Sequence, residues 1–557
     1  MPPKRKATKA PVAKAAPPQK QPKQDGQKAV SRDLNVPIDE GFPGVNAAAP
    51  AVYIDPEGII FDVSLNQSNV SNNNNKFYNL QLIGGSKKSK QFWTWTRWGR
   101  VGDFGQTKLL GPDPLETAMK DFEKKFKDKT GHKWEDRDAE PKKGKYTFIQ
   151  KSYEDDDDDN GDAAAVKKEE DDDGEDKKPD VASKLPIATQ RLIELIFNEN
   201  HFNSVLENIG YNNDKLPLGK LGKSTIKKGF EHLKELASLI KHPSLAQNKY
   251  QQTQEEAIEE FTNKYYSTIP HIFGRNRPPL INNNDILQRE TAMLDTLSDM
   301  EIANQIMKVT SDKAKDADSV SLIDKRFAQL NCDNLSPLDH KSAEYHALKD
   351  YLINTAGHTH SIRYRLQDIF RVERAGEDAR FRKSAFNGRA DTCRRLLWHG
   401  SRTTNFGGIL SQGLRIAPPE APVNGYMFGK GVYLADISTK SANYCMSSSS
   451  GGHGLLLLCE AELGRPMHEL LSSDYNADEE CKKKGKIATL GIGRTCPQGW
   501  VDAGDVISPQ LKGVQMPDPK LEPGDQKQHP TAYLQYNEYI CYDVAQIKIK
   551  YLLRFAM

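Results

Sequence analysis

A multidomain α+β protein is the fold class this sequence predicts, and three observations predict it. The chain has 557 residues, more than one hydrophobic core serves. The stretch Glu154 to Lys177 holds fourteen acidic against three basic residues, a self-repelling run that cannot join a core and so divides the chain. Before it and near the end, apolar residues alternate as strands require, whereas the stretch between repeats them at helical spacing.

Residues 1–44 read as a disordered basic tail. The first 30 hold eight Lys or Arg against the single Asp25, amid Pro, Ala and Gln, and such a composition buries too little apolar surface to offset chain entropy. Pro2-Pro3-Lys4-Arg5-Lys6 clusters cations that suit an import receptor or phosphates, and equally a merely solvated basic tail; the first reading makes the expected location nuclear. No apolar signal segment follows Met1, and no run approaches the roughly 18 apolar residues of a membrane span. Neither secretion nor a membrane partner is expected. All seven cysteines fall between Cys332 and Cys541 without a Cys-x-x-Cys pair, against a zinc finger and against a disulfide framework. They are expected to be reduced and mostly buried, and no metal site is expected.

Residues 45–153 predict a small sheet with one helix. VYIDPEGIIFDVSL, KFYNLQLIGG and QFWTWTRWGRVGDFG read as strands, with an Asn-rich loop from Asn66 to Asn75. In PLETAMKDFEKKFKDKTG, Leu115, Met119, Phe122 and Phe126 fall on one helical face, and Gly131 is a stop signal. Trp93, Trp95, Trp98 and Tyr78 accompany Lys76, Lys87, Lys88, Lys90, Arg97 and Arg100. Aromatic faces beside cations suit a nucleic-acid end, although on composition alone core tryptophans with solvated lysines are the better account. Residues 154–183 form the acidic linker, a spacer and also a plausible acceptor of a modification. Residues 184–310 predict an all-α bundle: Leu192, Leu195 and Ile196 form one stripe, and Ile226, Phe230, Leu233, Leu236 and Ile240 a longer one. Gly210, Gly219, Gly222 and Gly229, with the polar loop at Asn212-Asn213-Asp214, are expected to interrupt these helices and make opening easy. Residues 320–557 predict a mostly antiparallel β domain, with strands at RRLLWH, GKGVYLAD, GLLLLCEAEL, EYICYD and IKIKYLLRF.

Three stretches in that last domain carry chemistry. Trp398-His399-Gly400-Ser401 ends a buried strand on a donor and acceptor ring, and Gly400 opens the backbone to a ligand. Gly429-Lys430-Gly431-Val432-Tyr433 leads to Ser438, a candidate helix cap, and to Lys440, Ser441 and Tyr444; Ser441 and Tyr444 are three apart, as on one helix face. Tyr536-Asn537-Glu538-Tyr539 sets a carboxylate at the head of an apolar strand. Singly, each is weak. Together, residues 394–444 and the Tyr-Asn-Glu-Tyr closely resemble the catalytic signature of the poly(ADP-ribose) polymerases. Trp98-Gly99-Arg100 is the motif that names that family's WGR domain, SKLPIATQRLIELIF to TIPHIFGRNRPPLINN resembles its autoinhibitory helical domain, and residues from about 320 resemble its ADP-ribosyltransferase domain.

The resemblance implies a His399, Tyr433 and Glu538 triad. It places a ribose hydroxyl of NAD on His399, the nicotinamide amide on Gly400 and Ser441, and the nicotinamide ring between Tyr433 and Tyr444. Ser401 and Tyr426 join the NAD site, Arg415 and Asp299 face its adenosine side, and Lys440 and Tyr536 lie near the transfer site. Trp98, Gly99, Arg100, Lys76 and Asn75 are implied to meet damaged DNA, at a nick or an end with its 5′-phosphate. Cleaving the nicotinamide bond develops oxocarbenium character, so a rigid grip and a nearby carboxylate suit the reaction. Gly491-Ile492-Gly493-Arg494-Thr495-Cys496 lacks the third glycine of a dinucleotide fingerprint. Hydride transfer is therefore disfavoured, and the resemblance implies NAD as a consumed substrate, with no permanently bound cofactor. The expected function is DNA-break-activated transfer of ADP-ribose chains to chromatin proteins and to the enzyme itself, the helical domain obstructing the cleft until DNA binds. The alternative is a DNA-end scaffold that transfers only one unit, which Glu538 disfavours.

Overall fold

The computed structural model describes residues 27, 34, 36–44, 50–85, 90–151, 153, 181–208, 222–312 and 320–557. The expectations for most of the basic tail, for Lys87 and Lys88, for residues 154–180 of the acidic linker, and for Gly210, Gly219 and Asn212-Asn213-Asp214 lie outside the described residues.

The first unit is an antiparallel sheet in the order Gln106–Asp113, Phe92–Arg100, Asn74–Gly84, Asp62–Asn69, Thr147–Ile149. The helix Leu115–Thr130 covers one face and ends at Gly131, whose φ of 77° closes it in the left-handed conformation. Ala118, Phe122 and Phe126 pack there with Phe61, Leu80, Leu82 and Trp134. The Asn-rich loop is shorter than expected. Asn66 and Asn69 extend one strand and Asn74 and Asn75 begin the next, because Asn73 accepts a φ of 48° and closes a tight hairpin. Gly99 is required where it stands: a Cβ there would lie 2.8 Å from the Cα of Gly105.

Six helices are described in the second unit: Ile187–Ile196, Glu199–Asn208, Lys223–Lys241, Ser244–Tyr250, Gln254–Thr268 and Asn284–Asp312. Thr253 and Glu256 form a capping box that starts the fifth. Of the glycines expected to interrupt the helices, Gly222 and Gly229 are described, and Gly229 does not act as expected. Gly222 caps the helix Lys223–Lys241 from outside, and Gly229 inside it is a packing glycine, where a Cβ would meet Ile269 at 2.9 Å and Leu294 at 3.1 Å.

The third unit holds a seven-stranded sheet ordered Trp500–Asp502, Gln515–Pro517, Arg394–Ser401, His453–Glu462, Ile547–Ala556, Arg365–Arg374, Cys332–Pro337. A four-stranded sheet, Val432–Leu434, Glu538–Cys541, Ala488–Gly491, His468–Leu470, sits beside it. Pairings are mostly antiparallel, so the α+β reading holds. One hydrophobic core runs without a break from the helices (Leu294, Ile302, Ala303, Ile306) into this unit (Phe406, Ile409, Leu410, Leu457). The cysteines are free, five buried and two half-buried. No helix is long and apolar enough to cross a membrane, and no group of metal-binding side chains occurs, among the described residues.

Candidate active site

The strand Arg394–Ser401 carries Leu396, Leu397 and Trp398 through the core. Trp398 and Ala435 exchange both backbone hydrogen bonds, at 2.8 and 2.9 Å, which ties this strand to Val432–Leu434. That strand pairs in turn with Glu538–Cys541, Tyr433 opposite Ile540. His399, Tyr433 and Glu538 therefore stand on three adjoining strands although they are far apart in sequence.

His399 Nδ1 lies 2.9 Å from the carbonyl oxygen of Tyr433. A carbonyl only accepts, so Nδ1 carries the proton and Nε2 is the acceptor of the neutral ring. Burial favours that neutral form by lowering the pKa, against the opposing effect of the Tyr433 carbonyl. At the next position a Cβ would lie 1.9 Å from Ser441 O, so only glycine fits. Ser441 Oγ donates to Trp398 O at 3.0 Å, and Ser401 Oγ accepts from Asn405 Nδ2 at 3.0 Å; both hydroxyls brace the turn. Ser438 does not cap. It is the first helical residue of Ser438–Ala442 and donates to Leu352 O at 2.7 Å. Tyr444 follows that helix in a separate 3₁₀ turn and is 57% exposed, so it presents its ring to solvent while Ser441 is buried.

The Tyr433 hydroxyl accepts from Phe428 N at 2.9 Å and donates to Gly429 O at 2.8 Å. Burial raises its pKa well above the ordinary value, and the nearby Glu538 carboxylate adds to the rise. Glu538 Oε1 lies 3.1 Å from Lys440 Nζ, which also donates to Tyr536 O at 2.9 Å and Asn537 O at 3.2 Å. Tyr536 itself is buried, and its hydroxyl accepts from Thr359 N at 3.0 Å.

On the other side, the helix Asn284–Asp312 lies against the helix Phe406–Gln412, so closely that a Cβ on Gly407 would meet Ala303 Cβ at 2.9 Å. Asp299 pairs with Arg415. Asp295, one turn earlier, accepts from Tyr426 OH at 2.7 Å, and Arg402 Nη1 donates to Thr296 Oγ1 at 2.5 Å. Burial raises the pKa of Asp299, and pushes that of Asp295 to about 7. Asp295 and Arg402 were not singled out in the sequence, yet Asp295 carried a signal. Two aspartates four apart share one helix face.

The Trp-Gly-Arg strand turns its side chains in several directions. Trp93, Trp95 and Tyr78 are core residues, not free stacking faces; Tyr78 packs in the cluster under the helix, and Trp95 meets Phe42 edge-on with ring centroids 5.7 Å apart. Trp98 is half-buried, stacked on Tyr78 with centroids 5.9 Å apart. Lys76 is exposed. Asn75, expected at a DNA surface, is fully buried; its Nδ2 donates to His271 O at 2.7 Å, which makes it a contact to the helical unit. Arg100 also reaches that unit: it donates to Gly274 O and, at 2.9 Å, to Asn276 O, while Nη1 and Nη2 hold Asn73 at 2.8 and 3.0 Å.

Gly400 with no Cβ, the neutral His399 ring with Nε2 as its acceptor, and the lysine-paired Glu538 carboxylate thus come together on adjoining strands. The class of protein to which they belong is that of the ADP-ribosyltransferases. Residues 342–557 match the family model of the poly(ADP-ribose) polymerase catalytic domain, 183–327 that of the poly(ADP-ribose) polymerase regulatory domain, and 61–141 that of the WGR domain. Poly [ADP-ribose] polymerase 2-A of Oryza sativa subsp. japonica is 42% identical over 499 residues, 89% of this chain and 69% of the rice protein. Poly [ADP-ribose] polymerase 2 of Homo sapiens is 38% identical over 533 residues, 95% of this chain and 84% of the human protein. The chain belongs to the poly(ADP-ribose) polymerase family and is an NAD+ ADP-ribosyltransferase.

Proposed function

We propose that this enzyme is switched on by broken DNA, cleaves NAD as a consumed substrate, and builds ADP-ribose chains on chromatin proteins and on itself in the nucleus. One observation carries the activation: the helical domain holds the guanidinium of Arg100 at one end and that of Arg415 at the other. Trp98, Gly99, Arg100 and Lys76 form the edge offered to a 5′-phosphate at a nick or end, where a guanidinium fork and an aromatic face suit phosphate and exposed sugar. A phosphate there competes with the carbonyls of Gly274 and Asn276 for Arg100, and the loosened bundle then uncovers Arg415 and Tyr426 for the adenosine side of NAD. Such coupling needs one element that both sites bias, and the helical domain touches both.

In the cleft, the backbone at Gly400 and the Ser441 hydroxyl hold the nicotinamide amide, Tyr433 and Tyr444 flank the ring, and His399 Nε2 accepts from a ribose hydroxyl. The bond between nicotinamide and the ribose carbon breaks, nicotinamide leaves, and an acceptor hydroxyl adds to the same carbon. Glu538 stabilises the cationic sugar and polarises that hydroxyl. The test is the full chain with labelled NAD, with and without nicked DNA, beside Glu538→Gln. Wild type should make long polymer only with DNA. Glu538→Gln should keep NAD binding and lose about 100- to 1,000-fold in elongation, the usual worth of one electrostatic group. Polymer made equally without DNA refutes the switch, and long polymer from the mutant refutes the role of Glu538. A wild type that adds single units only would establish the scaffold reading.

A further inference from the structure

Asp436 is fully buried at the end of the segment that carries Tyr433. Burying a carboxylate is costly unless bonds compensate it; Oδ1 of Asp436 has no hydrogen-bond partner among the described residues, and the bonds that Oδ2 makes go to particular places. Asp436 Oδ2 accepts from Asn537 Nδ2 at 2.8 Å and from Tyr539 OH at 2.9 Å. Those two residues are the immediate neighbours of Glu538. Side chains alternate along an extended chain, so Asn537 and Tyr539 turn to one side, toward Asp436, while Glu538 turns to the other, toward Lys440. The far ends are pinned too. Asn537 Oδ1 accepts from Gly493 N at 2.8 Å, and the Tyr539 hydroxyl accepts from Arg395 Nη1 at 2.6 Å. Arg395 in turn lies over the Trp500 ring, 3.9 Å from its centroid. A core that needed only volume at this place would be filled by apolar side chains, without the cost of a buried charge.

We infer that Asp436 is a positioning residue for the transfer step, fixing the Glu538 carboxylate by clamping the side chains on either side of it, with Arg395 as the clamp's counter-charge. It touches neither NAD nor acceptor. The inference rests on the reading of Glu538 as the transfer carboxylate, and it adds what holds that carboxylate still. A misplacement of about 1 Å can cost about 100-fold in a positioned reaction, so the clamp should act on turnover and chain length and leave the nicotinamide pocket alone.

The experiment uses the full chain with nicked DNA and compares Asp436→Asn, Tyr539→Phe, Glu538→Gln and the double variant Asp436→Asn with Glu538→Gln. Turnover and polymer length are read from labelled NAD, the pocket from binding of 3-aminobenzamide, and the fold from thermal melting. Asp436→Asn should lower elongation about 100-fold, and Tyr539→Phe, which removes one hydroxyl only, about tenfold, near the worth of a hydrogen bond to a charged acceptor. Affinity for 3-aminobenzamide should stay within about twofold, and Asp436→Asn should cost nothing further in the Glu538→Gln background. Wild-type elongation by Asp436→Asn or Tyr539→Phe overturns the inference, as does a full additional loss in the double variant. If Asp436→Asn does not fold, Tyr539→Phe decides: a loss confined to elongation supports the clamp, and an equal loss in 3-aminobenzamide binding assigns the network to general packing and overturns it. Full elongation by Glu538→Gln brings down the reading of Glu538 instead, which separates the two failures.

Discussion

Toward the WGR domain the helical domain presents mainly hydrogen-bonding groups, backbone carbonyls together with side chains such as Asn263 and Ser267, and toward the transferase domain mainly packed side chains. At the first face Asn75 and Arg100 bond His271, Gly274 and Asn276 by their carbonyl oxygens, and Asn66 Nδ2 bonds Tyr266 O at 2.8 Å. At the second, Ala303 meets Gly407 inside a shared core, and the half-buried carboxylates of Asp295 and Asp299 face Tyr426 and Arg415. A hydrogen bond to a carbonyl is readily exchanged for one to phosphate at little net cost. Close packing is not exchanged for anything; it holds or it opens as a unit. Under the proposed switch, the difference teaches where a DNA signal would enter and where it would have to act: the polar face would receive it, and the packed face would resist until the helix Asn284–Asp312 moved.

The largest expected effect is on the receiving face. Arg100→Ala should lower stimulation by nicked DNA about 100-fold, toward the upper end of couplings between sites, and the loss should persist at saturating DNA. Full stimulation at high DNA would make Arg100 a binding residue alone and end the contrast between the faces. On the resisting face, Asp299→Ala frees Arg415 and should raise turnover without DNA about tenfold. A rise in KM with no gain in DNA-free turnover would instead make Asp299 a substrate contact.

Two further changes sharpen the comparison. Gly229→Ala places a methyl 2.9 Å from Ile269 and 3.1 Å from Leu294, and thermal melting should show about 2 kcal/mol of destabilisation from overpacking. Unchanged melting would restore Gly229 as a point of easy opening. The smallest effect is a pH dependence. Burial raises Asp295 from 3.8 to about 7, with Asp299 adding to the rise and the Tyr426 hydroxyl, Arg415 and Lys430 opposing it. A carboxyl raised in the folded state holds its proton where the unfolded chain has lost it, so the contact is strongest at low pH and weakens as pH climbs toward and through about 7. Turnover without DNA should therefore rise severalfold from about pH 6 to about pH 8 in wild type, and less in Asp295→Asn, whose side chain cannot ionise. Parallel profiles would remove Asp295 from the resisting face.

The sequence by itself determined the order of units, the helix stop at Gly131, the helices of the bundle, and the strands that carry His399, Tyr433 and Glu538. These are local or periodic signals, and the motifs are short enough to stand whole in one stretch of chain. Only the tertiary structure decided the direction each side chain takes. Asn75 and Lys76 are neighbours, yet one is buried under the helical domain and the other faces water, because alternate residues of a strand face opposite ways and only the docked partner says which way is covered. Gly229 looks like a helix breaker in sequence and is a contact point in space, since the same missing Cβ that costs helix stability admits Ile269. Asp436 is an ordinary acid in the run Leu434-Ala435-Asp436; its reach to both neighbours of Glu538 exists only because the strands Val432–Leu434 and Glu538–Cys541 pair. Residues that pair across a sheet leave no mark in the sequence between them, and the clamp on the carboxylate is of that kind.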